Sequence, residues 1–126
     1  MRLGDPDNLN SYGIIFGGDW NGAPCPAADY SSCFNQYYRL SVAWYAEDAG
    51  RLRVTLKRID WHDTNNEGRG VFLFGPYDIP VVGIPSDWHE WRIQVYADGH
   101  IRVYVDGTTL AGTANDTNYI GNPCFG

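Results

Sequence analysis

WHEWRIQVYADGHIRVYVDG, residues Trp88 to Gly107, sets apolar side chains at Trp91, Ile93 and Val95, then at Ile101, Val103 and Val105. Polar residues fill the positions between them. That period of two marks strands with one buried and one exposed face. Parity then selects the turn. A two-residue turn at Asp98-Gly99 would pair Val95 with Arg102, a buried residue against an exposed one. A three-residue loop Ala97-Asp98-Gly99, with Gly99 in the left-handed region of a G1 bulge, pairs Val95 with Ile101 and Ile93 with Val103. The bulged hairpin is therefore expected. At Asp106-Gly107 a tight two-residue turn satisfies parity, because it pairs Val105 with Thr108 and Val103 with Leu110. An antiparallel meander of at least three strands follows.

Working outward, Tyr12 to Gly18 (YGIIFGG) forms the first predicted strand. The second runs from Phe34 to Tyr45, with Tyr38, Leu40, Val42 and Trp44 on one face and Tyr37, Arg39, Ser41, Ala43 and Tyr45 on the other. Arg51 to Ile59 follows, with Leu52, Val54 and Leu56 inward. A polar loop is expected from Asp60 to Gly70. Beyond it, Val71 to Ile84 is broken by Pro76 and Pro80, which suits an edge strand. With a final piece near Tyr119, seven or eight antiparallel strands predict a single domain over residues 1–126, an all-β two-sheet sandwich or jelly roll.

The 126 residues can bury roughly two-thirds of the unfolded surface. Abundant Gly and Pro and 15% aromatic content suit a turn-rich β protein. A net charge of −6 argues against nucleic acid as partner. No apolar run is long enough for membrane insertion as a helix or for a secretory signal. Eight of the nine basic residues are Arg, and Arg39, Arg51, Arg53, Arg92 and Arg102 fall in predicted strands. Composition bias explains this as readily as recognition of oxygen-rich partners does.

Cys25 and Cys33 share the loop GGDWNGAPCPAADYSSC, where a disulfide would staple a long connection. Such a bridge implies an extracellular or cell-surface setting. Cys124 is left over as a free thiol, an intermolecular bridge or an alternative partner. Asn115-Asp116-Thr117 is a glycosylation sequon, a short pattern that also recurs by chance.

The order YGIIFGGDW, CFNQYYRLSVAWY, RLRVTLKRIDW and WHEWRIQVYADGHIRVYVDG resembles the concanavalin A-like lectin/glucanase jelly roll. Within it, the chain is most similar to laminin-G-like and keto-disaccharide-hydrolase-like bacterial extracellular modules. The resemblance spans nearly the whole chain through strand patterns, Gly turns and the V-D-G hairpin. It implies one strand before Tyr12 and another after Phe125-Gly126. Here one or two edge strands are expected to be missing or supplied from elsewhere.

The resemblance also raises glycoside hydrolysis, whose retaining form needs two carboxyls about 5 Å apart. The matching strand reads Glu90-Trp91-Arg92, with Arg where the second acid would stand, and no strand shows E-x-D or D-x-E. Carbohydrate binding is the stronger expectation. The outward face of the meander presents Arg92, Gln94, Tyr96, Arg102 and Tyr104, joined by Tyr37, Arg39 and Tyr45 if the second strand shares the sheet. Flat rings stack on sugars, and Arg and Gln donate to hydroxyls and carboxylates. Cross-strand Arg–Tyr pairs are also ordinary sheet stabilisers. Trp20 and Trp61 are read as loop-borne stacking residues, and Trp44, Trp88 and Trp91 as core or sheet-end residues. Asp60, Asp63, Asn65 and Glu67 offer oxygen ligands for calcium, against the plainer reading of a solvated turn. Asp5, Asp7 and Asn8 repeat the pattern more weakly.

These residues predict a non-catalytic module that binds a polysaccharide or glycoconjugate, with calcium as candidate cofactor. The alternative is a self-associating structural subunit completed by strand exchange at exposed sheet edges. A glycoside-active enzyme is the third reading.

Overall fold

The computed structural model describes residues 9–18, 36–45, 51–62, 68–81 and 88–119. Its strands, in chain order, are β1 (Leu9–Phe16), β2 (Tyr37–Tyr45), β3 (Arg51–His62), β4 (Gly68–Pro80), β5 (Trp91–Val95), β6 (His100–Val105) and β7 (Thr109–Asn115). They form two antiparallel sheets, ordered β1-β2-β3-β4 and β5-β6-β7. The architecture is the expected β-sandwich. Each sheet is a plain meander, and among the described strands none crosses between sheets as jelly-roll winding requires.

Alternation builds the core. Phe16, Tyr38, Leu40, Val42, Leu52, Val54 and Leu56 of the larger sheet face Ile101, Val103 and Val105 of the smaller one. Each fully buried Val or Leu contributes about 1.5–3 kcal/mol of transfer free energy. β1 lies over β5, where the Trp91 indole donates to the Tyr12 hydroxyl at 2.7 Å. β4 lies over β7, where Gly112 admits the Phe74 ring; a Cβ there would stand 2.6 Å from it. Ile15, Tyr37 and Ile59 form a separate buried cluster on the other face of the larger sheet.

The β5–β6 hairpin has the register that parity predicts, with Val95 opposite Ile101 and Ile93 opposite Val103. Gly99 has a φ of 97° and donates its N–H to Tyr96 O, while Tyr96 N–H donates to His100 O. The β6–β7 turn departs from expectation. Val105 pairs with Thr109 and Val103 with Gly112, so the connection holds three residues. Asp106 and Gly107 both take positive φ, as a primed turn requires, but a register shift next to Tyr104 makes Ala111 the extra residue. Ala111 is buried and Leu110 exposed. The small side chain enters the core beside Phe74, and the larger one is left outside.

The loop expected from Asp60 to Gly70 is shorter than predicted. β3 continues to His62 and β4 begins at Gly68, pairing Trp61 with Arg69. Gly70 permits this close approach, since a Cβ would lie 1.7 Å from the Arg58 carbonyl oxygen.

Candidate functional site

The outer face of β5 and β6 collects the predicted Arg/Tyr/Gln set. The register sets Arg92 opposite Tyr104 and Gln94 opposite Arg102. The Arg92 guanidinium lies 4.4 Å from the Tyr104 ring centre, and that of Arg102 lies 5.5 Å from the ring of Tyr96. Tyr96 donates its hydroxyl hydrogen to Gln94 Oε1 at 3.1 Å. Among the described residues, neither Arg92 nor Arg102 has a carboxylate partner, whereas Arg53 pairs with Asp78 and Arg58 with Asp60 and Asp116. The face therefore offers two exposed, uncompensated guanidinium planes backed by aromatic rings. Such planes present fixed forks of N–H donors to oxygen-rich ligands.

Two residues join this face that periodicity did not single out. Asp98 and His100 line, with Tyr96 and Arg102, a shallow depression of about 260 Å³. The His100 N–H and Nδ1 meet the Asp98 carboxylate at 3.1 and 2.9 Å, which holds that carboxyl below its ordinary range. Asp98 is thus a local brace for His100 at the end of the hairpin.

The remaining predicted residues fall elsewhere. β2 belongs to the larger sheet, so Tyr37 and Arg39 do not join the meander face. Tyr37 is fully buried against Ile15 and Ile59, which removes it from any solvent face. Arg39 is half-buried, and its Nε finds no acceptor among the described residues. Tyr45 also lies on β2, in the larger sheet. Trp61 lies within β3, not in a loop. Asp60 sits on β3 too, where Arg58 and Tyr119 engage its carboxylate. Its supposed partners Asp63, Asn65 and Glu67 lie outside the described residues, as do Trp20, Cys25, Cys33, Cys124, Asp5, Asp7 and Asn8. Asn115 is exposed at the end of β7, paired with His100, while the middle residue of its sequon, Asp116, is buried.

Asp116 is the hub of a polar network at one end of the sandwich. Its carboxylate accepts from Tyr38 Oη at 2.7 Å, Arg58 Nη1 at 2.6 Å and the Asn118 N–H at 2.9 Å. Arg58 also donates to Asp60, which receives the Tyr119 hydroxyl, and the Tyr119 N–H donates back to Tyr38 Oη at 3.0 Å. Burial opposes ionisation of Asp116, but donors from Tyr38, Asn118 and Arg58 outweigh it and hold the carboxyl below the usual range. Burial acts likewise on Asp60, against the donors Arg58 and Tyr119, and the net direction is again downward. Burial, then the Asp60 carboxylate, pushes the Tyr119 phenol up to about 12. The single guanidinium of Arg58 bridges both carboxylates, and neutral donors from Tyr38, Asn118 and Tyr119 complete their shells, so the network ties the chain after β7 to β2 and β3.

Of the core and sheet-end alternatives for Trp88, full exposure excludes the core: the residue stands just ahead of β5, at the rim of a groove beside the β6–β7 turn. Compared with models of known families, with curated proteins and with solved structures, the chain finds no match, so the site is interpreted from its own chemistry.

Proposed function

We propose that this chain is a non-catalytic carbohydrate-recognition or adhesion module of an extracellular or cell-surface setting, acting through Arg92, Gln94, Tyr96, Arg102 and Tyr104. The observation that carries this reading is the pair of exposed arginines stacked on tyrosines with no carboxylate partner among the described residues. In a chain of net charge −6, such a cationic patch suits saccharides that carry carboxylate or sulfate groups. Because each ring already has an Arg over one face, the guanidinium edge supplies polar recognition. The rings hold it in place, at about 0.5–1 kcal/mol per contact.

The test is a glycan array probed with the folded chain, in calcium and again in chelator, beside Arg102→Ala and Tyr104→Ala. Specific hits that both substitutions abolish, with circular dichroism unchanged, support the reading. A blank array from a folded chain sinks it. Loss of hits only with chelator would direct attention to calcium at the Asp60–Glu67 stretch.

One observation favours self-association as a second reading. β4 is an edge strand of the larger sheet and leaves Val71, Phe72 and Tyr77 exposed. Edges of this kind invite pairing with another chain. Sedimentation velocity across a hundredfold concentration range distinguishes the readings, because only assembly through this edge predicts a rising mass that Phe72→Lys suppresses.

A further inference from the structure

We propose that the groove beside the β6–β7 turn is a second binding site, separate from the arginine face, that takes a neutral pyranose chain. The groove encloses about 630 Å³ and is lined by Val81, Trp88, His89, Asp106, Thr108 and Thr109, among others. A whole indole left in water is a costly way to place a tryptophan, and beside a cavity it forms a ready stacking plate. Opposite chemistry is supplied by the turn. Asp106 is held in the left-handed region at φ 52°, a conformation uncommon for a residue with a side chain. Its N–H donates to Glu90 O at 2.8 Å, and its carboxylate accepts the Glu90 N–H at 3.1 Å. His89 Nδ1 lies 2.8 Å from the same carboxylate, and the His89 side chain is only 3% exposed. The carboxylate is nevertheless 39% exposed, an acceptor fixed in position with open lone pairs.

A plate for C–H faces, a braced acceptor and two exposed threonines match the alternating apolar faces and hydroxyl rims of a pyranose. The Asp106 charge sets the ligand class. It repels carboxylate or sulfate groups, so this groove selects uncharged sugars where the arginine face selects charged ones. The groove is at the β6–β7 end of the smaller sheet, and the depression at Tyr96 and Arg102 is at the opposite, β5–β6 turn end.

The experiment titrates the full chain with cellohexaose, with mannohexaose and with a galacturonate trimer. It follows acrylamide quenching of tryptophan emission and the amide resonances of Thr108 and Thr109. The expected result is that a neutral hexaose shields one indole and shifts both amides, while galacturonate does neither. Trp88→Ala should weaken that binding at least tenfold, Trp88→Phe should retain most of it, and Arg102→Ala should leave it unchanged. Unaltered quenching and amides with both hexaoses overturn the proposal, as does full binding by Trp88→Ala. Shifts confined to the Arg102 and Tyr104 region would also overturn it while leaving the arginine face standing. Groove binding alongside a blank array would uphold the groove and sink the arginine-face reading.

Discussion

Tyr38 on β2 donates its hydroxyl hydrogen to the carboxylate of Asp116, just past β7, at 2.7 Å across the end of the sandwich. The two are far apart in sequence, and both are buried. Their bond makes the end of the smaller sheet dependent on the larger one. Asp116→Ala removes the hub and leaves Arg58 with Asp60 alone, so it should cost about 3 kcal/mol. Tyr38→Phe keeps the ring packing against Phe16 and Tyr119 and should cost about 1–2 kcal/mol. Urea unfolding checks both. Costs under about 0.5 kcal/mol for each would mean that the network is incidental.

The same network predicts how stability responds to pH. The Asp116 and Asp60 carboxyls are lowered in the folded chain. Their contribution is therefore complete above about pH 4 and is lost as pH falls through the folded values. Tyr119 has the opposite sign. Its phenol is raised to about 12, so its contribution is complete below about pH 10 and fades as pH rises towards 12. Urea midpoints should show the gap between wild type and Asp116→Asn closing from pH 5 to pH 2.5. The gap to Tyr119→Phe should close instead on the alkaline side. Gaps that stay constant with pH would contradict the assignment.

What was legible in the chain follows from where the signals lie. Val95 and Ile101 are large, apolar and close in sequence, so parity alone determined the β5–β6 register. The next turn misled because Leu110 and Ala111 compete for one inward position, and the Phe74 ring from another sheet decides it. Alternation assigned the two faces of β2 but not its sheet, since period two is blind to neighbours. Tyr37 was lost for that reason, and also because burial on an outer face leaves no mark on the pattern. The Asp116 hub draws on three segments, β2, β3 and the stretch after β7, that only the tertiary fold brings together, and the exposure of Trp88 leaves no mark on the alternating pattern.

The Phe74–Gly112 contact gives a sharper test of the packing between β4 and β7. Gly112→Ala places a methyl 2.6 Å from the ring, which cannot bend away as a flexible chain end could. A loss of about 1–3 kcal/mol is expected. Phe74→Leu opens that space at its own cost. The double substitution should therefore be less damaging than the sum of the two, with a coupling of at least about 0.5 kcal/mol. Strict additivity in thermal or urea unfolding would show that β7 does not approach Phe74 this closely.

Arg92 and Tyr104 separate recognition from ordinary sheet stabilisation. As a cross-strand pair of exposed Arg92 and half-buried Tyr104, stacked at 4.4 Å, they contribute no more than about 1 kcal/mol to the fold. Arg92→Ala should therefore unfold close to wild type yet lose the glycans that the array identifies. Arg92→Lys keeps the charge but not the planar fork, so it should restore little of that binding. Raising salt to 1 M should weaken wild-type binding to an acidic glycan, because the screening length falls to about 3 Å. If Arg92→Lys binds as tightly as the parent, charge alone is at work and the stacked geometry is incidental. If Arg92→Ala both binds and folds normally, the Arg–Tyr ladder belongs to the sheet and the recognition face must be sought elsewhere.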